Sequence, residues 1–117
     1  MAGADRQLFA PCKWVTVKLT VTTTVSEITT TLNDIATVVI QSSSANTGNK
    51  SIYFGSDNTI TSLGAGNIGG ELKASQSAQL PLSLKSYPSG SGSRLFVVSS
   101  SGSQTLYASF YDSGVYA

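Results

Sequence analysis

The sequence predicts an all-β fold: a single antiparallel β-sandwich, jelly-roll or Ig-like, of about seven or eight short strands with an extended N-terminal arm. Three observations carry this expectation. Apolar and polar residues alternate with period two in several short runs. Turn signals rich in Gly, Asn, Ser and Pro separate those runs at intervals of about 8–12 residues. No longer repeat recurs and no linker divides the 117 residues, which fits one domain. The expected division is an arm over 1–12 and a sandwich over 13–117.

The clearest strand runs from Trp14 to Thr22. Val15, Val17, Leu19 and Val21 occupy one parity, while Thr16, Lys18, Thr20 and Thr22 occupy the other. Successive side chains point to opposite faces of a strand, so this one is expected to bury its aliphatic side and show a Thr-rich side to solvent. Val25, Ile28, Leu32 and Ile35 fall at helix-like intervals, but Thr29-Thr30-Thr31 is a poor helix former, and the stretch reads as an extended or irregular connection. Ile35 to Gln41 is nearly continuous in apolar residues and reads as a central strand covered on both faces. Ser42 to Lys50 is a turn, Ile52-Tyr53-Phe54 a strand, and Gly55-Ser56-Asp57-Asn58 a second turn.

Thr59 to Leu63 reads as a short strand and Gly64 to Gly70 as a long loop. Leu80, Leu82 and Leu84 alternate around Pro81. Because proline has no N–H to give a ladder, this strand belongs at a sheet edge or breaks there. Tyr87 to Gly92 is a turn, Leu95 to Val98 a strand and Ser99 to Ser103 a tight turn. Leu106, Ala108 and Phe110 mark the inward parity of a last long strand.

Composition excludes much chemistry. The chain has 20 Ser and 13 Thr but no His and one Cys. Without imidazole there is no His base for a serine nucleophile and no His-ligated zinc. A lone cysteine, Cys12, gives neither an internal disulfide nor a Cys-rich zinc site, and fits synthesis in a reducing cytosol. The N-terminus leads into no apolar run of signal-peptide length, and no segment has the length of a membrane span.

Seven scattered Lys and Arg against six acids leave a net charge of +1, which gives no field suited to nucleic acid. Gly64-Ala65-Gly66-Asn67-Ile68-Gly69 matches G-x-G-x-x-G, yet it precedes another β pattern rather than a helix, so it reads as loop. No S-x-x-K pair occurs. The acids do not cluster, and Asp34 and Asp57, beside Asn33 and Asn58, read as turn formers. No catalytic group, metal site or cofactor is expected.

The aromatic residues are more informative. If Ile52 and Phe54 face the core, Tyr53 points outward. By the same alternation Tyr107 and Tyr111 point outward together from the last strand. Outward Tyr side chains anchor protein interfaces or stack on sugars, unless loops cover them or their face is a second core. Leu8, Phe9 and Pro11 give the arm apolar groups for docking. The candidate interface is therefore Leu8, Phe9, Pro11, Tyr53, Tyr107 and Tyr111.

The strands and turns follow one another in a distinct order: Val39-Ile40-Gln41, Ala45-Asn46-Thr47-Gly48, Ser51-Ile52-Tyr53-Phe54-Gly55-Ser56-Asp57 and Ile60-Thr61. Gly70 to Ser77, Leu80-Pro81-Leu82, Leu95-Phe96-Val97-Val98-Ser99 and Ser101 to Tyr107 continue it. This order of motifs resembles that of small virion proteins of tailed bacteriophages. The chain departs from the pattern at Gly64 to Gly70, where its loop is longer. The resemblance implies a structural, non-enzymatic protein: a decoration or cement protein on the outer capsid surface, made in the host cytoplasm. Its implied partners are the major capsid protein and further copies of itself, as a homo-oligomer such as a trimer, with no nucleic acid and no membrane. The alternative is a receptor- or carbohydrate-binding module of a tail or fibre.

Overall fold

A computed structural model describes residues 14–30, 35–47, 49–82 and 93–112. The arm over 1–12 with Leu8, Phe9, Pro11 and Cys12, the Asn33-Asp34 turn, Leu84 and the turn from Tyr87 to Gly92 all lie outside the described residues.

Eight strands are present among the described residues: β1 (Trp14–Val21), β2 (Ser26–Ile28), β3 (Ile35–Ser42), β4 (Ile52–Gly55), β5 (Ile68–Leu72), β6 (Ser77–Leu80), β7 (Leu95–Ser99) and β8 (Gln104–Asp112). β1 pairs β8, β2 pairs β7, β3 pairs β6 and β4 pairs β5, all antiparallel. Such nested pairs arise when one long hairpin ribbon is wound up from its tip, here the loop over 56–67. Two further antiparallel pairings, β3 with β8 and β4 with β7, close the ribbon on itself. The result is two four-stranded sheets, β1-β8-β3-β6 and β2-β7-β4-β5. Of the two sandwich kinds expected, this is the strand order of a jelly roll.

The main core lies between the sheets. Val38, Ile40, Leu106, Ala108 and Phe110 from the first sheet meet Ile52, Phe54, Leu72, Leu95 and Val97 from the second. A smaller cluster of Ile60, Phe96 and Val98 forms on the other side of the second sheet, with Val25, Tyr53 and Ile68 against it. β7 is consequently buried along its whole length, which explains its unbroken apolar run Leu95-Phe96-Val97-Val98.

Several expectations need correction. Thr59 to Leu63 is not a strand. Asp57 accepts from the Thr59 amide at 3.0 Å and from its hydroxyl at 2.5 Å. The Thr61 amide donates to the Ala65 carbonyl at 2.9 Å. These bonds curl the segment so that Ile60 drops into the smaller cluster. The long loop is also shorter than expected, since β5 begins at Ile68. Ser26–Ile28, within the stretch expected to be an extended or irregular connection, is a strand that pairs with β7; three residues are too few for alternation to reveal.

β3 is central in its sheet but is not covered on both faces, because Gln41 is exposed and Val39 half-buried. β6 ends at Pro81 on a sheet edge, as the missing N–H requires.

Two glycines are required by the packing. Gly66 has φ +91°, and a Cβ there would stand 2.0 Å from the Thr59 carbonyl oxygen. At Gly70 a Cβ would fall 2.3 Å from the Phe54 ring, so the bare backbone of β5 is what lets Phe54 fill the core beside it.

Candidate interaction surface

In an antiparallel ladder, residues directly opposite one another share a face. The buried parity of β8 is Gln104, Leu106, Ala108 and Phe110, so Thr105, Tyr107, Ser109 and Tyr111 point away from the core. The register builds the outer face of the first sheet in rows. Trp14 stands by Tyr111 and Thr37; Thr16 by Ser109, Val39 and Gln79; Lys18 by Tyr107, Gln41 and Ser77; Thr20 by Thr105. In these rows Lys18 is the sole ionic side chain.

At one end of the face Trp14 stacks on Tyr111, with ring centroids 6.1 Å apart and planes 23° from parallel. Trp14 remains 61% exposed. In the next row the hydroxyls of Thr16 and Ser109 hydrogen-bond at 2.8 Å. The hydroxyl groups thus hold one another, and the aromatic pair stands at their border.

Tyr107 and Tyr111 lie together on this face, half-buried. Tyr53 is elsewhere: it points away from the main core on the second sheet and packs against the smaller cluster. An added Cβ at Gly64 would lie 3.3 Å from its hydroxyl, so the 56–67 loop covers the ring. Alternation places Trp14 on the same parity as Thr16, which was enough to add it to the outward aromatics. Leu63, 90% exposed at the loop's tip, had no such signal, because the segment reads as strand.

Several charged groups outside this face are engaged with neighbours. Arg94 forms a two-pronged ion pair with Glu27, both bonds 2.9 Å, and lies over the Phe96 ring at 4.9 Å. That hydrogen bonding holds Glu27 below the ordinary carboxylate range. Glu71 is lowered first by the Ser51 hydroxyl that donates to it and then by Lys73, 3.3 Å away. Asp57 is lowered by the hydroxyl and amide of Thr59 and by Asn67.

Part of the hydroxyl excess is internal. Ser42, Ser43, Ser51 and Ser99 are buried. The buried Gln104 amide donates to the Ser51 carbonyl at 2.7 Å and to the Ser99 hydroxyl at 2.8 Å. Asn46 ties the turn after β3 to β8, its amide nitrogen donating to the Thr105 carbonyl at 2.8 Å and its oxygen accepting from the Thr105 amide at 2.9 Å.

A cleft of about 230 Å³ is lined by apolar Phe54, Ile68, Leu80, Leu82 and Leu95, with Ser56, Asn67 and Arg94. Its one cation is already held by Glu27. Among the described residues no three His, Cys, Asp or Glu side chains gather as metal ligands, and no helix is long and apolar enough to cross a membrane. Comparison with protein-family models, curated proteins and solved structures finds no match to this chain.

Proposed function

We propose that this chain is a structural protein of a tailed-phage virion. It lays the outer face of the β1-β8-β3-β6 sheet on the major capsid protein and decorates the outside of the head. The observation that carries the reading is the exposed Trp14 indole, stacked on half-buried Tyr111, on a face whose paired rows carry one charge among the described residues. Trp and Tyr are the residues that most often dominate interface energetics, and interface centres are depleted of charge. The rows of Thr, Ser and Gln offer hydrogen bonds without the desolvation cost of ions.

The capsid as partner rests on the sequence resemblance, and the double-sheet jelly roll, which recurs in viral capsid and lectin domains, is a fold-level analogy in its favour. The test is co-sedimentation of the purified protein with heads lacking it. Wild-type protein pellets with the heads, and the W14A/Y111A double variant loses at least tenfold in affinity while keeping its fold. Failure of the wild type to pellet overturns the reading.

A glycan-binding module of a tail or fibre is the second reading, favoured by the same exposed indole with hydroxyls and amides beside it. A glycan array with a Trp14-dependent binder, together with no binding to heads, would establish it instead.

A further inference from the structure

A sheet edge exposes unpaired N–H and C=O groups, and proteins blunt such edges to prevent pairing with another chain. Three of the four edges here are short, irregular or bear an ion pair. β2 is three residues long and bears the Glu27–Arg94 ion pair. β5 has Gly69 and Gly70 as its second and third residues, has a register irregularity at Phe54/Gly55 and bears the Glu71–Lys73 pair. β6 is four residues long and stops at Pro81.

β1 is different. Its one blunting feature is Lys18, which points to the outer face; its eight residues include no proline and no inward-pointing charge, and among the described residues it pairs only with β8. Its inward parity is incompletely covered: Val15 is 41% exposed and Val17 and Leu19 are half-buried, whereas Val21 is fully buried. The facing sheet explains this, since β2 is too short to roof the near end of β1.

We infer that the β1 edge pairs with the β1 edge of a second copy of this chain, antiparallel, about a twofold axis through Val17. The sequence of the strand is self-complementary in that register. Val17 meets Val17, Val15 meets Leu19, Thr16 meets Lys18 and Trp14 meets Thr20. Every half-covered aliphatic side chain then gains an aliphatic neighbour on the inner face. Neighbouring registers fit less well: a shift by two residues one way sets Lys18 directly opposite Lys18, and like charges so placed destabilise a ladder, while a shift by two the other way leaves Leu19 without an aliphatic partner in β1.

A twofold contact of one patch with itself closes on a dimer and leaves no free β1 edge to propagate. The two first sheets become one continuous eight-stranded sheet, with both Trp14–Tyr111 stacks on the same outer face. One strand-to-strand joint falls at the small end of specific interfaces, below about 1,200 Å², so the dimer is expected to dissociate at roughly micromolar concentrations or above. This inference is independent of capsid attachment and is tested without heads.

The experiment uses sedimentation equilibrium across a wide concentration range, together with cysteine cross-linking of the full chain in a C12S background. Wild-type protein forms a concentration-dependent dimer. Val15→Lys, at a position open to solvent in the monomer, keeps the β-sheet circular dichroism and raises the dissociation constant at least tenfold. V17C cross-links to itself on mild oxidation. V15C and L19C cross-link when mixed but not separately, because each would then face its own copy four residues out of register, beyond disulfide reach. A wild type that stays monomeric at about a millimolar overturns the inference. So does a dimer in which V17C cross-links no better than L19C.

Discussion

Trp14 and Tyr111 come from opposite ends of the described chain, yet their rings stack at 6.1 Å where β1 meets β8. They lock the outermost turn of the wound ribbon on its solvent side. Phe110, one residue before Tyr111, is 1% exposed on the core side. Two neighbouring aromatics therefore do different work.

That difference predicts two very unequal stability losses. Phe110→Ala removes a fully buried ring and leaves a cavity, and is expected to cost about 3–5 kcal/mol. Tyr111→Ala removes the half-buried stacking partner of Trp14 and is expected to cost about 0.5–1.5 kcal/mol. Urea unfolding of the two variants measures both. Equal losses would mean that Tyr111 belongs to a core, not to an outer face.

Alternation made β1 and β8 legible in the sequence, because each sets aliphatic or aromatic residues on a fixed parity, and β3, β4 and β7 were legible as short apolar runs. Alternation also placed Tyr107 and Tyr111 on one face. Their row-mates were not legible, because Thr37 and Gln79 join that face only through long-range register. β2 was hidden by its shortness. Thr59 to Leu63 misled because Ile60 is apolar for a cap on the second sheet rather than for a ladder. The buried serines misled in the same way: Ser51 and Ser99 look like turn residues, and only the position of Gln104 shows that they are internal hydrogen-bond partners.

Stability is expected to be flat near neutral pH and to fall in acid. The chain has no His to titrate there. Glu27, Glu71 and Asp57 all have lowered pKa values in the folded state. A carboxyl depressed on folding contributes stability that is fully present above its unfolded value, about 4, and is lost as pH falls through the folded value. Thermal melts should therefore hold their midpoint down to about pH 5 and drop below about pH 4. E27Q and D57N should each lower the neutral-pH midpoint slightly and flatten the acid limb. An acid limb unchanged in both variants would assign the loss to other carboxyls.

Gly66 should tolerate no side chain. Gly66→Ala combines a φ of +91° with a Cβ 2.0 Å from the Thr59 carbonyl oxygen, and both members of that contact are backbone. The loop must open, which withdraws Ile60 from Phe96 and Val98. A loss of at least about 2 kcal/mol is expected, the sum of a strained backbone residue and the disturbed packing. Ala65→Gly, next to it, leaves the loop's geometry available and should cost less than half as much. Chemical denaturation of the pair distinguishes a steric requirement at Gly66 from general loop sensitivity.

Attachment to heads should depend only weakly on salt. The outer face of the first sheet carries Lys18 as its one ionic side chain in the paired rows, so few long-range ionic attractions can form there. Contacts made by Trp14, Tyr107 and Tyr111 and by hydroxyl hydrogen bonds are short-ranged, and raising ionic strength from about 0.1 to 1 M, which shrinks the screening length from about 10 to 3 Å, removes little from them. Co-sedimentation across that range should change affinity by less than about threefold, whereas W14A/Y111A weakens it at every salt concentration. Lys18→Ala should leave affinity almost unaltered and remove the residual salt dependence. Steep release by moderate salt, with W14A/Y111A binding as well as wild type, would move the contact off this face to a charged part of the chain.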